Sequence, residues 1–300
     1  MTSIVDSNNK RKKNIIKSTL SYFDDSNIPL PSVVEISESG TCNRSCSFCP
    51  RSDPNYPNVM KFIQTDLFEK LVKDLALYDY QGILLFSGFV ETLLDKNIYN
   101  LVSIARHNLP QAKIEIGTNG DVLNINRLKK LFKSGLSTLI ISVYDSKEQA
   151  DGFIELCKKA GIKEDQYVIR HRYYSSEEDF GLTLSNRSGF LKNAEYKIDT
   201  PAEPLDIPCF YPHYTFFMDY LGDVLLCPHD WGKQMIVGNM KKQTFKEIWM
   251  SKKMMLLRKK LASGNRKFLP CSDCDVKGVL MGREHAKAWE KLSKENNNAA

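Results

Sequence analysis

Seven of the eight cysteines in this 300-residue chain fall into two sets whose spacing suits metal chemistry. Cys42, Cys46 and Cys49 share one loop, Gly40-Thr41-Cys42-Asn43-Arg44-Ser45-Cys46-Ser47-Phe48-Cys49-Pro50. Three thiolates on so short a loop can hold three corners of an iron–sulfur cube, for which cysteine thiolates are the usual ligands. No fourth cysteine lies nearby, so a four-iron cluster there keeps one iron open to bind and activate a small molecule, as the open position of a catalytic zinc does. Half of a zinc site or a redox loop would use the same residue type. Zinc, however, is usually held by four ligands in CxxC-type pairs, and His107 and His171 lack the spacing to complete a set. The second set is Cys209, Cys227, Cys271 and Cys274. Two of these frame a hairpin-like stretch and two form a CxxC, enough to enclose one centre with no open position. Structural zinc and a closed cluster both suit four thiolates. His213 and His229 lie near this set, but its thiolate count is already complete, so both read as hydrogen-bonded structural histidines. Cys157 stands apart on the helical face of Phe153 and Ile154, where a free cysteine packs as a small hydrophobe. Its alternative role is as a hydrogen-atom donor.

The elements that must position these residues alternate in type. Residues 32–37 read as a β-branched strand leading directly into the cysteine loop. Residues 66–77 carry Leu67, Phe68, Leu71, Val72 and Leu75 at helical spacing. Then follow a strand at 82–86, a helix at 98–107, a strand at 113–117, a helix at 126–134 and a strand at 138–143. A helix at 147–160, closed by Gly161, and a strand at 167–172 complete the series. Such alternation predicts βαβ units, a parallel sheet with helices outside, and a barrel or partial barrel. Chemistry in parallel barrels sits in the loops after the strands. Those loops are the cysteine loop, Ser87-Gly88-Phe89-Val90-Glu91-Thr92, Thr118-Asn119-Gly120 and Ser142-Val143-Tyr144-Asp145. Near the C-terminus, residues 214–226 predict a hairpin turning at Leu221-Gly222-Asp223.

Bulk properties allow one large domain plus a small appendage, with 42% hydrophobic residues and a net charge of +6. Lys252, Lys253, Arg258, Lys259 and Lys260 alternate with Met254, Met255, Leu256 and Leu257 as the solvated face of an amphipathic helix. No basic stripe interleaved with aromatics points to nucleic acid. The polar first residues contain Arg11-Lys12-Lys13 and lack the apolar core of a signal peptide, and no apolar run spans a bilayer. Reduced thiols in the cytoplasm, with no membrane partner, are expected.

The CxxxCxxC loop, with Phe48 just before its last cysteine, resembles that of the radical S-adenosylmethionine enzymes. The resemblance implies a 4Fe-4S cluster on Cys42, Cys46 and Cys49 whose open iron chelates S-adenosylmethionine. Reductive cleavage then gives a 5'-deoxyadenosyl radical that abstracts hydrogen from substrate. It also implies an α/β fold, a partial (β/α)6 barrel over residues 32–188 after a polar leader at 1–31. Gly88 and Glu91 match the family's Gly-Gly-Glu-Pro loop, although Val90 stands where glycine is common and Thr92 where proline is common. Thr118 and Asn119 resemble its Thr-Asn-Gly turn, Ser142 and Asp145 match positions near the ribose, and Phe48 would pack on adenine. Gly222 to Pro228, Gly238-Asn239, Ile248-Trp249 and the final CxxC resemble the SPASM and twitch extensions. They imply one auxiliary 4Fe-4S cluster on Cys209, Cys227, Cys271 and Cys274 within residues 189–280, ahead of a C-terminal helix and tail at 281–300.

Leu184-Ser185-Asn186-Arg187-Ser188-Gly189 further resembles radical dehydrogenases of aminocyclitols, which implies that Arg187 lies at the substrate, positioning it or helping to remove the hydroxyl proton. A flavodoxin- or ferredoxin-like reductant is implied as partner. Hydrogen abstraction from a carbinol carbon leaves an acidic, reducing radical, and a closed cluster nearby can take its electron. The expected reaction is therefore oxidation of a hydroxylated small molecule, a sugar or aminocyclitol. A ribosomal-peptide maturase is an alternative, but the roughly thirty residues before the first strand are too few for an independent peptide-binding domain. A redox-neutral epimerase would need a donor such as Cys157, and a zinc-stabilised binding protein would need no catalysis at all. Tyr173, Tyr174 and Asp179 are further pocket candidates.

Overall fold

The computed structural model describes residues 7–23, 27–172, 184–193 and 198–298; Tyr173, Tyr174 and Asp179 lie outside the described residues. The polar leader contains a helix, α1 (Ser7–Ser18). Strand β1 (Val33–Ser37) runs into the cysteine loop, which lies between the strands of a short hairpin, β2 (Ser39–Gly40) and β3 (Val59–Phe62). There follow α2 (Thr65–Ala76), β4 (Ile83–Phe86), α3 (Ile98–Asn108), β5 (Lys113–Thr118), α4 (Ile125–Lys133), β6 (Thr138–Val143), α5 (Lys147–Ala160) and β7 (Tyr167–His171). Each end lies within one residue of where hydrophobic periodicity put it. The C-terminal part holds α6 (Tyr211–Tyr214), β8 (Thr215–Asp219), β9 (Asp223–Leu225), β10 (Ile236–Asn239), α7 (Phe245–Trp249), α8 (Lys252–Ala262) and α9 (Arg283–Asn298). Among the described residues no helix is long and apolar enough to cross a membrane.

One sheet carries both cysteine-bearing parts, in the order β10-β9-β8-β1-β4-β5-β6-β7. Six of these strands, β8 to β7, are parallel, and β9 and β10 add to them as an antiparallel hairpin. The sixth parallel strand does not follow the fifth in space. It arrives from the C-terminal part and pairs with the other edge of β1, Val33 with Thr215 through Ser37 with Asp219. That edge would otherwise leave backbone groups of a buried strand unpaired. Alternation along the strands divides the side chains. Val34, Ile36, Leu84, Phe86, Ile114, Ile116, Leu139 and Ile141 pack outward on Leu67, Phe68, Leu71 and Val72 of α2 and on the neighbouring helices. Val33, Glu35, Leu85, Gly117, Ile140, Ser142 and Thr215 face an inner cavity. Cys157 is fully buried in the outer core, where it packs as a hydrophobe and lines no part of that cavity, which removes the donor an epimerase would use.

Helix α1 docks inside the barrel. Ile15 and Ile16 pack with Val33, Ile83, Leu85 and Ile140, and Arg11 forks onto the buried Glu115 of β5 at 2.6 and 2.7 Å. At the other end of the chain, α9 is tied to the barrel by two contacts. His285 Nε2 lies 2.7 Å from Ser32 Oγ, and Trp289 donates to the His213 carbonyl. Burial holds His285 down to about 4; His213 falls to about 3, first through burial and then through the adjacent Arg258. Both folded values lie below the unfolded histidine value of about 6.5, so below that pH the unfolded chain binds more protons than the folded one. Stability is therefore expected to fall as pH drops from about 6.5 toward 4, by up to about 1.4 kcal/mol per pH unit for each histidine. Thermal melts between pH 7 and pH 5 check this; burial holds His229 down to about 3 as well, so His285→Gln should remove about a third of the histidine slope.

Candidate active site

The cysteine loop is pinned at both flanks by arginines. Arg51 donates to the Phe89 carbonyl (2.8 Å), the Gly40 carbonyl (3.1 Å) and Asn58 Oδ1 (3.0 Å), so the loop cannot drift from the segment after β4. Arg44 forms a fork with Asp121 and another with Asp145, at 2.5 to 2.8 Å. Within the loop, Cys49 N donates to the Cys46 carbonyl (2.9 Å) and Arg44 N approaches Cys42 Sγ (3.5 Å). Burial pushes all three thiols up, Cys46 to about 11, and the neighbouring Cys49 and Cys42 raise Cys46 further. The three thiols line one cavity, though among the described residues no three ligands lie close enough to hold a single metal ion, and a larger positively charged group is needed to hold them as thiolates. The donor set thus fits a positively charged iron–sulfur group with one corner left free.

Glu91 is the hub of the loops around it. Buried after β4, it accepts from Leu93 N (3.0 Å), Thr118 Oγ1 (2.6 Å) and Asn119 N (2.7 Å), while its own N–H donates to the Thr41 carbonyl. Burial raises its pKa and these donors oppose the rise. Two carboxylate oxygens offer about four acceptor directions, so capacity remains for a ligand ammonium. Asn119 continues the chain of bonds to Asn43 and Asn43 to Asp121, each at 2.8 Å. Gly88 sits at φ +104, where an added Cβ would come within 3.1 Å of the Phe217 ring, so the backbone there approaches the cavity as only glycine allows. Phe48 stacks on Tyr144 at 5.3 Å, leaving an aromatic wall beside Cys49.

Arg187 heads a strained turn. It, Ser188 and Gly189 have successive φ values of +50, +54 and +87. For the two non-glycine residues such backbone costs roughly 1–3 kcal/mol each. Asn186 secures the turn to the CxxC segment, accepting from Asp275 N, donating to the Asp273 carbonyl (2.6 Å), and giving its backbone N–H to Asp275 Oδ2 (2.9 Å). The Arg187 guanidinium lies 5.7 Å from the Trp231 ring, and its Nε is buried without a partner among the described residues.

The second thiol set is assembled from three connections: Cys209 before α6, Cys227 after β9, and Cys271 with Cys274 after α8. Burial raises all four, and Cys227 is raised further by Cys271, Cys274 and Cys209 in turn, so the four sulfurs share one neighbourhood. Gly278, at φ +70, would bring a Cβ within 2.4 Å of Cys209 Sγ, so its bare backbone cradles that sulfur. Arg266 donates to the carbonyls of Ile207, Pro208, Val276 and Lys277, stapling the segments on either side and placing positive charge near the thiols. These features fit a closed four-thiolate cluster.

A cavity of ≈ 700 Å³ joins these parts. Cys42, Cys46, Phe48, Cys49, Gly88, Glu91, Thr118, Asn119, Ser142 and Arg187 all line it, and the second thiol set is reached through Tyr211, His229, Asp275 and Gly278 on its wall. Asp145 does not line it: this carboxylate, more than half exposed, is taken up by Arg44 and Gln149 on the rim. Sequence reasoning passed over Arg44, Arg51, Arg266 and Gly278. Arg44 inside the cysteine loop and Arg51 just after it could have been suspected from their position alone.

Comparison with known proteins gives two family matches. A model of the Radical SAM superfamily matches residues 36–173, and one of the SPASM iron-sulfur cluster-binding domain matches residues 209–275. The S-adenosyl-L-methionine-dependent 2-deoxy-scyllo-inosamine dehydrogenase of Niallia circulans is 30% identical over 246 residues, 81% of this chain and 92% of that protein. The crystal structure of BtrN in complex with AdoMet and 2-DOIA superposes with a TM-score of 0.71 at 27% identity, covering 86% of this chain and 98% of that one. The structure of anSMEcpe with bound AdoMet shares the fold, with a TM-score of 0.51 at 15% identity over 89% of this chain and 100% of that one.

Proposed function

The chain belongs to the radical S-adenosylmethionine superfamily as a dehydrogenase with an auxiliary cluster, and we propose that its substrate is a secondary alcohol on an aminocyclitol or a closely related sugar. The observation that carries the reading is the single cavity with an open three-thiol loop on one side, a closed four-thiol set behind the other, and the Arg187 donor between. The Niallia circulans relative, a dehydrogenase of 2-deoxy-scyllo-inosamine, supports the substrate class.

In this reading Cys42, Cys46 and Cys49 hold the first cluster, and Cys209, Cys227, Cys271 and Cys274 hold the auxiliary one. When bound, these groups supply the electron that cleaves S-adenosylmethionine to a hydrogen-abstracting 5'-deoxyadenosyl radical, and an acceptor for the electron left on the substrate. Glu91 takes the ammonium of the cofactor, the backbone at Gly88 lets it approach, and Thr118, Asn119 and Ser142 fix its far end. Phe48 packs against the adenine, while Asp145 acts only by orienting Arg44. Arg187 donates to the substrate hydroxyl oxygen and sets which C–H faces the radical. Phe89, Phe217 and Trp231, packed as one aromatic group at that end, exclude water. Residues 1–31 form the leader, 32–188 the barrel unit, completed by β8 from the segment that follows, 189–280 the auxiliary-cluster unit and 281–300 the closing helix and tail, in a cytoplasmic enzyme served by a flavodoxin- or ferredoxin-like reductant.

The test is anaerobic turnover of the reconstituted protein with S-adenosylmethionine, dithionite and 2-deoxy-scyllo-inosamine. One ketone per 5'-deoxyadenosine is expected; 5'-deoxyadenosine without ketone overturns the substrate class. Arg187→Ala should lower kcat/KM about 10- to 100-fold, the worth of one charged hydrogen bond, with iron content unchanged.

A further inference from the structure

Helix α1 contributes more than a plug to the barrel. Asn8, Asn9, Lys12 and Ile16 line the same cavity as the cysteine loop. Lys12 shares this wall with Glu35, an inward residue of β1 at the level of Leu85 and Phe217. A carboxylate in the middle of a buried Val-Val-Glu-Ile strand is costly unless charges compensate it. Glu35 lines the cavity together with Ser87, Lys12, Arg170 and Arg187, and the charges of the lysine and the two arginines lie within electrostatic reach of its carboxylate. Gly117 lines the same cavity, and a Cβ there would press on Ser87 Oγ at 3.1 Å, so glycine leaves room for the Ser87 side chain. Of the other carboxylates on the cavity wall, Glu91 is engaged by three donors, and Asp275 gives Oδ2 to the Asn186 turn while its Oδ1 is buried without a partner among the described residues, which makes it the control for the assignment below. Glu115 is clamped by Arg11.

We propose that Glu35 accepts the hydroxyl proton of the substrate during its oxidation, with Lys12 of α1, on the wall of the same cavity, as the positioning residue that supplies the compensating positive charge. The assignment rests on the alcohol-oxidation reading above. The balance is complete: the carbinol C–H leaves as a hydrogen atom to the deoxyadenosyl group, and the O–H bond breaks heterolytically with its proton going to a Glu35 oxygen. The remaining electron passes to the auxiliary cluster as the C=O bond forms. Arg187 donates to the hydroxyl oxygen on the other side, which fixes the O–H toward Glu35. Burial lifts Glu35 above the ordinary glutamate range and the surrounding cations oppose that lift, which suits a group that must be ionised yet basic.

The experiment uses the reconstituted full chain, 2-deoxy-scyllo-inosamine as probe, and reads ketone, 5'-deoxyadenosine and the electron paramagnetic resonance of freeze-quenched samples. Glu35→Gln keeps a hydrogen-bonding side chain but takes no proton. The expected result is a fall in ketone per 5'-deoxyadenosine of about 10²-fold, with a substrate carbon radical accumulating and iron content unchanged. Glu35→Asp should restore part of that ratio, and Lys12→Met should lower it less than Glu35→Gln. A purely structural role would lower both products in parallel and leave no radical, and that outcome overturns the assignment. So does a wild-type ratio in Glu35→Gln, or the uncoupled behaviour appearing in Asp275→Asn instead. Wild-type protein that forms no ketone from the probe overturns the substrate class first, and this assignment with it.

Discussion

A Cys271→Ala/Cys274→Ala variant is expected to keep about four of about eight irons per chain, still cleave S-adenosylmethionine, and form no ketone. The two sets of thiols are independently supported. The three-thiol loop is held by Arg51 and Arg44 against the segments after β4, β5 and β6. The four-thiol set is held by Arg266 and by the chain turns around Gly278. Removing two of four ligands leaves Cys209 and Cys227 unable to retain a cluster, while nothing in the first loop loses a contact. Radical generation and electron acceptance should therefore separate. Iron and sulfide analysis with Mössbauer spectra checks the clusters, and product analysis checks the split. About four irons in both proteins, with zinc in the wild type, would remove the electron-acceptor role.

Cys46→Ala is expected to do the reverse: 5'-deoxyadenosine formation falls below detection while about four irons remain in the auxiliary site. Cys46 contributes its backbone carbonyl to the bond from Cys49 N, which alanine preserves, so the loop keeps its path. Only the thiol is lost. Two remaining thiolates do not hold a cluster against solvent, and the half-buried position offers no substitute ligand. The two variants together form a test in which each cluster is removed without the other.

Much of this was legible in the chain. Three cysteines in CxxxCxxC spacing state their chemistry locally, because a loop of that length can only present its sulfurs to one centre. The strand and helix limits from β1 to β7 followed the period of Leu67, Phe68, Leu71 and Val72 and of the later apolar runs, since each such face must be buried against something. Gly161 marked the end of α5 because the αL turn there, φ +76, favours glycine. Glu91 was visible as a loop carboxylate, but its bonds to Thr118 and Asn119 join strands that sequence does not place side by side.

What the sequence determined by itself was the inventory of thiols, the element periodicity and the family loops, all of which are short-range. Only tertiary structure decided the partners. Helix α1 has two adjacent isoleucines and no apolar stripe, so no period announces that Ile15 and Ile16 enter the barrel and carry Lys12 to Glu35. Strand β8 is apolar and alternation describes it well, yet nothing local says that its edge meets β1, nearly two hundred residues earlier. The same holds for Asp145, which the family resemblance put near the ribose and which Arg44 draws to the rim. Periodicity encodes that a face is buried; which surface buries it depends on shape and charge contributed by residues far away in the chain.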